Sequence, residues 1–168
     1  YLIGIQISSV LMETDADILL RARKYYKVGI DRCPSCYSLW ILASRLEETA
    51  PGLIGVAVKS SGTSSARSML EVARLKLPGN DMIWLESVHL EQRSGNTEAA
   101  QALLARALQA CPKSGALLAT NIHLATRVQR KSRASDAINR APEDPSVIAA
   151  VAWLFASEKK IAKARKWF

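Results

Sequence analysis

A chain of 168 residues with 49% hydrophobic and 23% charged residues has the composition of an ordinary folded protein, which excludes intrinsic disorder. Its 23 Lys and Arg against 15 Asp and Glu leave a net charge of +8, a bias toward acidic proteins or nucleic acid that chooses neither. The longest apolar runs, such as VIAAVAWLFA from Val147 to Ala156, fall well short of the roughly 18 residues that a membrane span needs, so no membrane partner is expected.

The opening stretch YLIGIQISSVLM has neither an initiating Met nor a charged leader, so the chain is expected to be a piece of a longer protein. Tyr1 and Ile7 occupy the aromatic and leucine positions of a first helix, A. Ala22, Tyr26 and Ile30 line a second helix, B, that Pro34 closes. Trp40, Ala43, Leu46 and Glu47 then restart helix A, and Ala66, Leu70, Ala73 and Leu77 lead to Pro78 in the next helix B. Trp84, Ser87, Leu90 and Glu91 repeat helix A; Ala100, Leu103, Leu104, Ala107 and Leu108 repeat helix B up to Pro112. Offsets of three and four residues put each set on one helix face.

The small residue precedes the proline by twelve positions in all three cases, and helix A restarts six positions after each proline, at Trp40, Trp84 and Leu118. A fourth unit runs from Leu118 through Ala134 to Pro142, and a fifth from Ile148 to Ala164. The helix A positions are thus separated by 39, 44, 34 and 30 residues. Relative to a unit of about 34, extra residues are expected as loops near 12–20 and 49–65, and the fourth unit loses four residues between Ala134 and Pro142. KSSGTSS, from Lys59 to Ser65, has loop composition. The expected fold is all-α: a right-handed α-α superhelix, or solenoid, of about five antiparallel helix pairs forming a single array over residues 1–168. Trp84 is expected to be buried between hairpins, with about 3–5 kcal/mol lost on truncation to Ala.

Cys33-Pro34-Ser35-Cys36 is the one stretch that suggests chemistry. A thiol oxidoreductase would want a sheet and a helix starting at the first cysteine, which here ends a helix. A zinc site would want about four ligands, whereas Cys111, His89 and His123 stand singly in other units. Cys33 and Cys111 both directly precede a repeat proline, which points to a buried thiol at a helix end. Three cysteines without a leader suggest a reducing compartment. His89 and His123 share a repeat position facing surface or groove, and Glu47 and Glu91 share a structural one. No phosphate loop, nucleophile elbow or His-Glu-x-x-His motif occurs, so no catalytic residue, cofactor, metal or small-molecule substrate is expected. Arg127, Arg130, Lys131 and Arg133 gather at the A-to-B turn of the fourth unit, a solvated tip or a contact for RNA or an acidic partner. The basic tail from Lys159 to Lys166 lacks interleaved aromatics for base stacking and reads as helix solvation.

Trp-x-x-x-x-x-Leu-Glu in helix A, with Ala-Arg-x-x-Leu-Glu (Ala66, Arg67, Leu70, Glu71) and a closing proline in helix B, resembles the HAT family, the half-a-tetratricopeptide repeats of RNA-processing proteins. Within it, LWILASRLEE, IWLESVHLEQRSGN, LLARALQACPKSGALL and VAWLFASEKKIAKARKWF are similar to the C-terminal repeats of the members that bridge the spliceosomal tri-snRNP. Leu118 and Ile148 depart from the family tryptophan, and Ala125 and Phe155 from the glutamate. The resemblance implies a nuclear, non-catalytic scaffold whose partners are other spliceosomal snRNP proteins, with RNA reached through the basic surface. A HAT scaffold of ribosomal RNA processing or mRNA 3′-end formation shares the same features. A thiol oxidoreductase using Cys33 and Cys36 is the rival from a different class.

Overall fold

The computed structural model describes residues 15–53 and 59–167, and all regular structure among them is helical. In chain order the helices are α1 (Asp15–Arg32), α2 (Tyr37–Leu53), α3 (Lys59–Lys76), α4 (Asp81–Arg93), α5 (Thr97–Ala110), α6 (Gly115–Leu124), α7 (Arg130–Arg140), α8 (Pro145–Ser157) and α9 (Ile161–Ala164), followed by a 3-10 turn (Arg165–Trp167). They form two compact units, Tyr1–Leu77 and Pro78–Phe168. Tyr1 and Ile7, the first helix A, lie outside the described residues.

In the second unit the A helices are α4, α6 and α8 and the B helices α5, α7 and the short α9. Each A helix packs on its own B helix, and α6 packs on both α4 and α8. This is the contact pattern of a helical-repeat solenoid, in which a hairpin buries its apolar face against the next one. Leu104, Ala107, Val88 and Leu117 centre one core cluster. Ile122, Ala137, Val147, Val151 and Leu154 centre the next, and Leu108 borders both. In the first unit α2 packs closely along α3 and also against α1, around Ile30, Trp40, Ala43, Ala50, Ala66, Leu70 and Ala73.

The junction from each B helix to the next A helix is one motif. At three of the four junctions the residue before the proline accepts from an N–H three positions on: Cys36 to Cys33 at 3.1 Å, Ser114 to Cys111 at 3.3 Å and Asp144 to Ala141 at 3.4 Å. These are β-turns with proline at the second position, where its fixed φ belongs. Helix A begins three residues after each proline, at Tyr37, Asp81, Gly115 and Pro145, a turn ahead of the tryptophan positions. The residue before it is the N-cap. Asn80, Ser114 and Asp144 accept there from the N–H groups of Ile83, Leu117 and Ser146, satisfying donors that a helix start leaves open.

The structure corrects three expectations. First, where the structure describes 12–20 and 49–65 these are helix, not loop: α1 covers 15–20, α2 continues to Leu53 and α3 starts at Lys59. The weak helix formers of KSSGTSS are held by packing, since Ala66 and Ala73 let α3 lie close against α2, and Ser68 bonds back to the Ser64 carbonyl at 3.1 Å. Residues 12–14 and 54–58 lie outside the described residues. Second, the fourth unit is not shortened after Ala134. Counted from the proline, Ala137 matches Ala107, Ala73 and Gly29, each accepting the N–H of the residue that precedes the proline. Ala134 therefore takes the place of Leu104, and the missing turn is lost around the A-to-B hinge, where α6 ends early at Leu124 and α7 starts late at Arg130. Third, Cys33 is exposed and Cys111 only half-buried, so neither is a buried thiol.

Candidate functional site

The repeat residues all serve the frame. The indole N–H of Trp40 donates to the Pro34 carbonyl at 2.9 Å, and that of Trp84 to the Pro78 carbonyl at 2.9 Å. The recurring six-residue spacing is thus a hydrogen bond that ties the ring to the turn. Trp40 is buried at 4% exposure, whereas Trp84 is only half-buried against the core that it was expected to enter fully. Ala66 and Ala100 are fully buried and Ala22 half-buried, while Pro34, Pro78 and Pro112 are exposed.

Glu47 receives a two-pronged bond from Arg23, at 2.7 and 2.6 Å. Glu91, buried at the end of α4, accepts from the Asn96 side chain at 3.0 Å and holds the α4–α5 hinge. Glu86, which sequence inspection did not single out, is equally buried and pairs with Arg93 at 2.8 Å. Cys36 takes the N-cap place of α2, and its thiol makes no hydrogen bond among the described residues. Burial, with the charge of Asp81 second, pushes the Cys111 thiol up from its ordinary value. No group of three or more His, Cys, Asp or Glu among the described residues is placed to hold a metal ion. No described helix is long and apolar enough to cross a membrane.

The basic residues at the α6–α7 hinge form a more defined feature. Arg130 donates to the Ala125 carbonyl at 3.1 Å, and its guanidinium lies 5.7 Å from the centre of the Trp153 ring. Arg133 donates to Asn121 at 3.3 Å across the hairpin. Lys131 approaches Glu158 at 3.6 Å, and Lys160 bonds the same carboxylate at 2.6 Å. The Lys160 bond is the main reason that the Glu158 carboxyl is held below its usual range, with Lys131 adding to it. Arg127 alone of the predicted four makes no hydrogen bond or ion pair among the described residues. With Val128, Lys131, Glu158 and Lys160 it lines an open cleft of about 390 Å³, and it shares a second cleft with Arg130 and Leu154.

Trp153 was not singled out from the sequence. It stands eleven residues after Pro142, as His123 follows Pro112 and His89 follows Pro78, so the repeated histidine position becomes tryptophan in the last A helix. His123 meets it edge to face with ring centres 4.8 Å apart. Burial, then the nearby Arg130 cation, lowers the His123 pKa, because both disfavour the charged imidazolium. Trp153 and His123 together line a cleft of about 500 Å³ whose other walls include Ser146, Ala149, Ala152, Ala156 and Ala164. The signal available in the sequence was the repeat register itself, extended one unit further.

No protein-family model matches the chain. It is similar to pre-mRNA-splicing factor prp1 of Schizosaccharomyces pombe, 36% identical over 154 residues, which cover 92% of this chain and 16% of that protein. It is 26% identical over 150 residues to pre-mRNA-splicing factor 6 of Saccharomyces cerevisiae, covering 87% of this chain and 16% of that one. Human pre-mRNA-processing factor 6 is 50% identical over 42 residues, 25% of this chain and 4% of its own. The chain thus spans about a sixth of the length of the first two relatives.

Proposed function

Because the chain belongs, over the segment that they share, to the family of these pre-mRNA-splicing factors, we propose that it is a non-catalytic protein-interaction scaffold in pre-mRNA splicing. Within that role it bridges components of the spliceosomal tri-snRNP in the nucleus, with other snRNP proteins as its partners. The observation that carries the reading is the similarity to the fission-yeast splicing factor over 92% of the chain. Physical support comes from the fate of the ionisable groups. Glu47, Glu86 and Glu91 are committed to ion pairs and hinge bonds, as a frame for docking requires and as acid or base chemistry would not. The proposed extent of the repeat array is the whole of residues 1–168.

The test is affinity capture with the tagged chain from nuclear extract, followed by identification of the bound proteins. Enrichment of tri-snRNP proteins is the expected result. Enrichment of ribosomal RNA-processing or 3′-end cleavage factors without spliceosomal proteins would overturn the assignment to splicing.

A further inference from the structure

Two features of the second unit meet at Trp153. One is the mostly alanine-walled cleft of about 500 Å³, which His123 and Ala164 also line. The other is Arg130, over the ring, with Arg127, Lys131 and Lys160 around the cleft of about 390 Å³. Trp153 is 46% exposed although it is among the largest apolar side chains of the unit. The frame has no use for this exposure: the neighbouring A helix residues Val147, Val151 and Leu154 fill the core.

The chemistry of the strip specifies its occupant. A cleft walled mostly by methyl groups and an indole, with His123 and Ser146 as its polar lining, accepts an apolar side chain, because it offers area to bury and few polar groups to leave unpaired. The adjoining cations prefer carboxylates. Four of them stand against one carboxylate, Glu158, which Lys131 and Lys160 already neutralise, so the patch stays positive. RNA suits the strip less well. Tracking a strand calls for successive aromatic platforms along a basic groove, whereas here one indole is available and Arg130 covers part of it.

We propose that the Trp153 cleft together with Arg127, Lys131 and Lys160 is a docking site for an acidic protein segment carrying an apolar anchor residue, the anchor entering beside Trp153 and the acidic flank lying on the cations. This deepens the scaffold reading and rests on it. Arg130 positions the indole, since its bond to the Ala125 carbonyl fixes the guanidinium over the ring.

The probe is a short fluorescent peptide of Glu and Asp around a central Leu-Phe pair, titrated with the full chain and read by anisotropy. One control peptide has Ser-Ser at the centre, another has Lys in place of the acids, and oligouridylate is the RNA control. The parent peptide is expected to bind, and both peptide controls to lose most of the affinity. Trp153→Ala and Arg127→Glu are each expected to weaken binding by about ten-fold or more, and Lys113→Glu, an exposed cation at the α5–α6 turn, by less than about two-fold. Circular dichroism of each variant establishes that it is folded. Parent-peptide binding that ignores both site substitutions would overturn the proposal, as would tighter binding of oligouridylate with the same dependence on Trp153 and Arg127, or no peptide binding at all. Capture of tri-snRNP proteins by folded Trp153→Ala at the level of the parent chain would overturn the docking site while leaving the scaffold reading standing. Absence of those proteins from the parent chain's capture would defeat the scaffold reading itself.

Discussion

Gly115 gives the sharpest test of how neighbouring repeats lock together. It is buried at the first position of α6, and a Cβ built on it would stand 1.9 Å from Asp144 Cγ and 2.0 and 2.2 Å from the carboxylate oxygens. Asp144 is meanwhile the N-cap of α8, accepting from Ser146 N–H at 2.8 Å. In a free helix Gly→Ala stabilises by about 0.5–1 kcal/mol. Here the added methyl must drive the carboxylate from its place, which forfeits a cap worth about 1 kcal/mol and adds crowding of about 1–3 kcal/mol. Gly115→Ala is therefore expected to destabilise by about 1–3 kcal/mol net. Asp144→Ala alone should cost about 1 kcal/mol. In the double variant the obstacle is gone and the helix propensity gain returns, so it should be more stable than Gly115→Ala, with a net cost of about 0.5 kcal/mol or less. The assay is urea unfolding followed by far-UV circular dichroism, comparing midpoints at constant slope. A Gly115→Ala variant more stable than the parent, or strict additivity of the two substitutions, would refute the reasoning. One repeat earlier the same contact is made with the roles divided differently: Ser114, the N-cap, donates to Asp81 at 2.7 Å.

Trp40→Ala should cost about 3–5 kcal/mol in thermal or urea unfolding, and Trp84→Ala about half as much, since only the first ring is fully buried; equal losses would contradict that difference. Lys159, at the end of α8, holds φ at 61° where the corresponding hinge uses Gly95 at 81°, so Lys159→Gly should raise stability by about 0.5–1 kcal/mol and Gly95→Ala should lower it by about 1 kcal/mol, both read from the melting midpoint. Cys36→Asp places a carboxylate acceptor at the N-cap of α2 and should stabilise by about 0.5–1 kcal/mol, whereas Cys36→Ala should be close to neutral; a loss in the Asp variant would count against the capping role. His123 has its folded pKa below the ordinary 6.5, so below that pH the unfolded chain binds the extra proton first and stability falls as pH drops toward the folded value. His123→Gln should flatten stability against pH in that window, and an unchanged profile would remove His123 from the cause.

The recurrence of Trp40 and Trp84 six residues after a proline was enough to reveal helix pairs, because burial and turn geometry both impose the same spacing. What spacing concealed was the reason for it, the indole bond to the proline carbonyl. Lys59–Ser65 misled for a physical reason: Ser, Gly and Thr disfavour an isolated helix, and only the close face of α2 makes one there. Ala134 misled because two alanines on one helix fit the small-residue position, and the turn after the helix, not its start, sets the register. For the site, Arg127 to Arg133 were visible as a run of cations, yet their aromatic partner sits on another helix. No search for aromatics interleaved along the sequence could pair Arg130 with Trp153.

The repeats act as an internal comparison that separates architecture from recognition. Five places before the proline the chain has Gly29, Ala73, Ala107 and Ala137, all small, and two places after it Cys36, Asn80, Ser114 and Asp144, three of which cap a helix. The stacking frame dictates both positions, so they recur. Eleven places after the proline the residues are Arg45, His89, His123 and Trp153, a set that shares neither size nor charge. A position that every hairpin presents but no hairpin needs for its core is free to differ from one repeat to the next, which is how a repetitive scaffold can offer distinct contacts along its length. Of these four, Trp153 exposes the largest apolar surface and stands next to unneutralised cations, which makes the last described A helix the place where a partner gains most from docking.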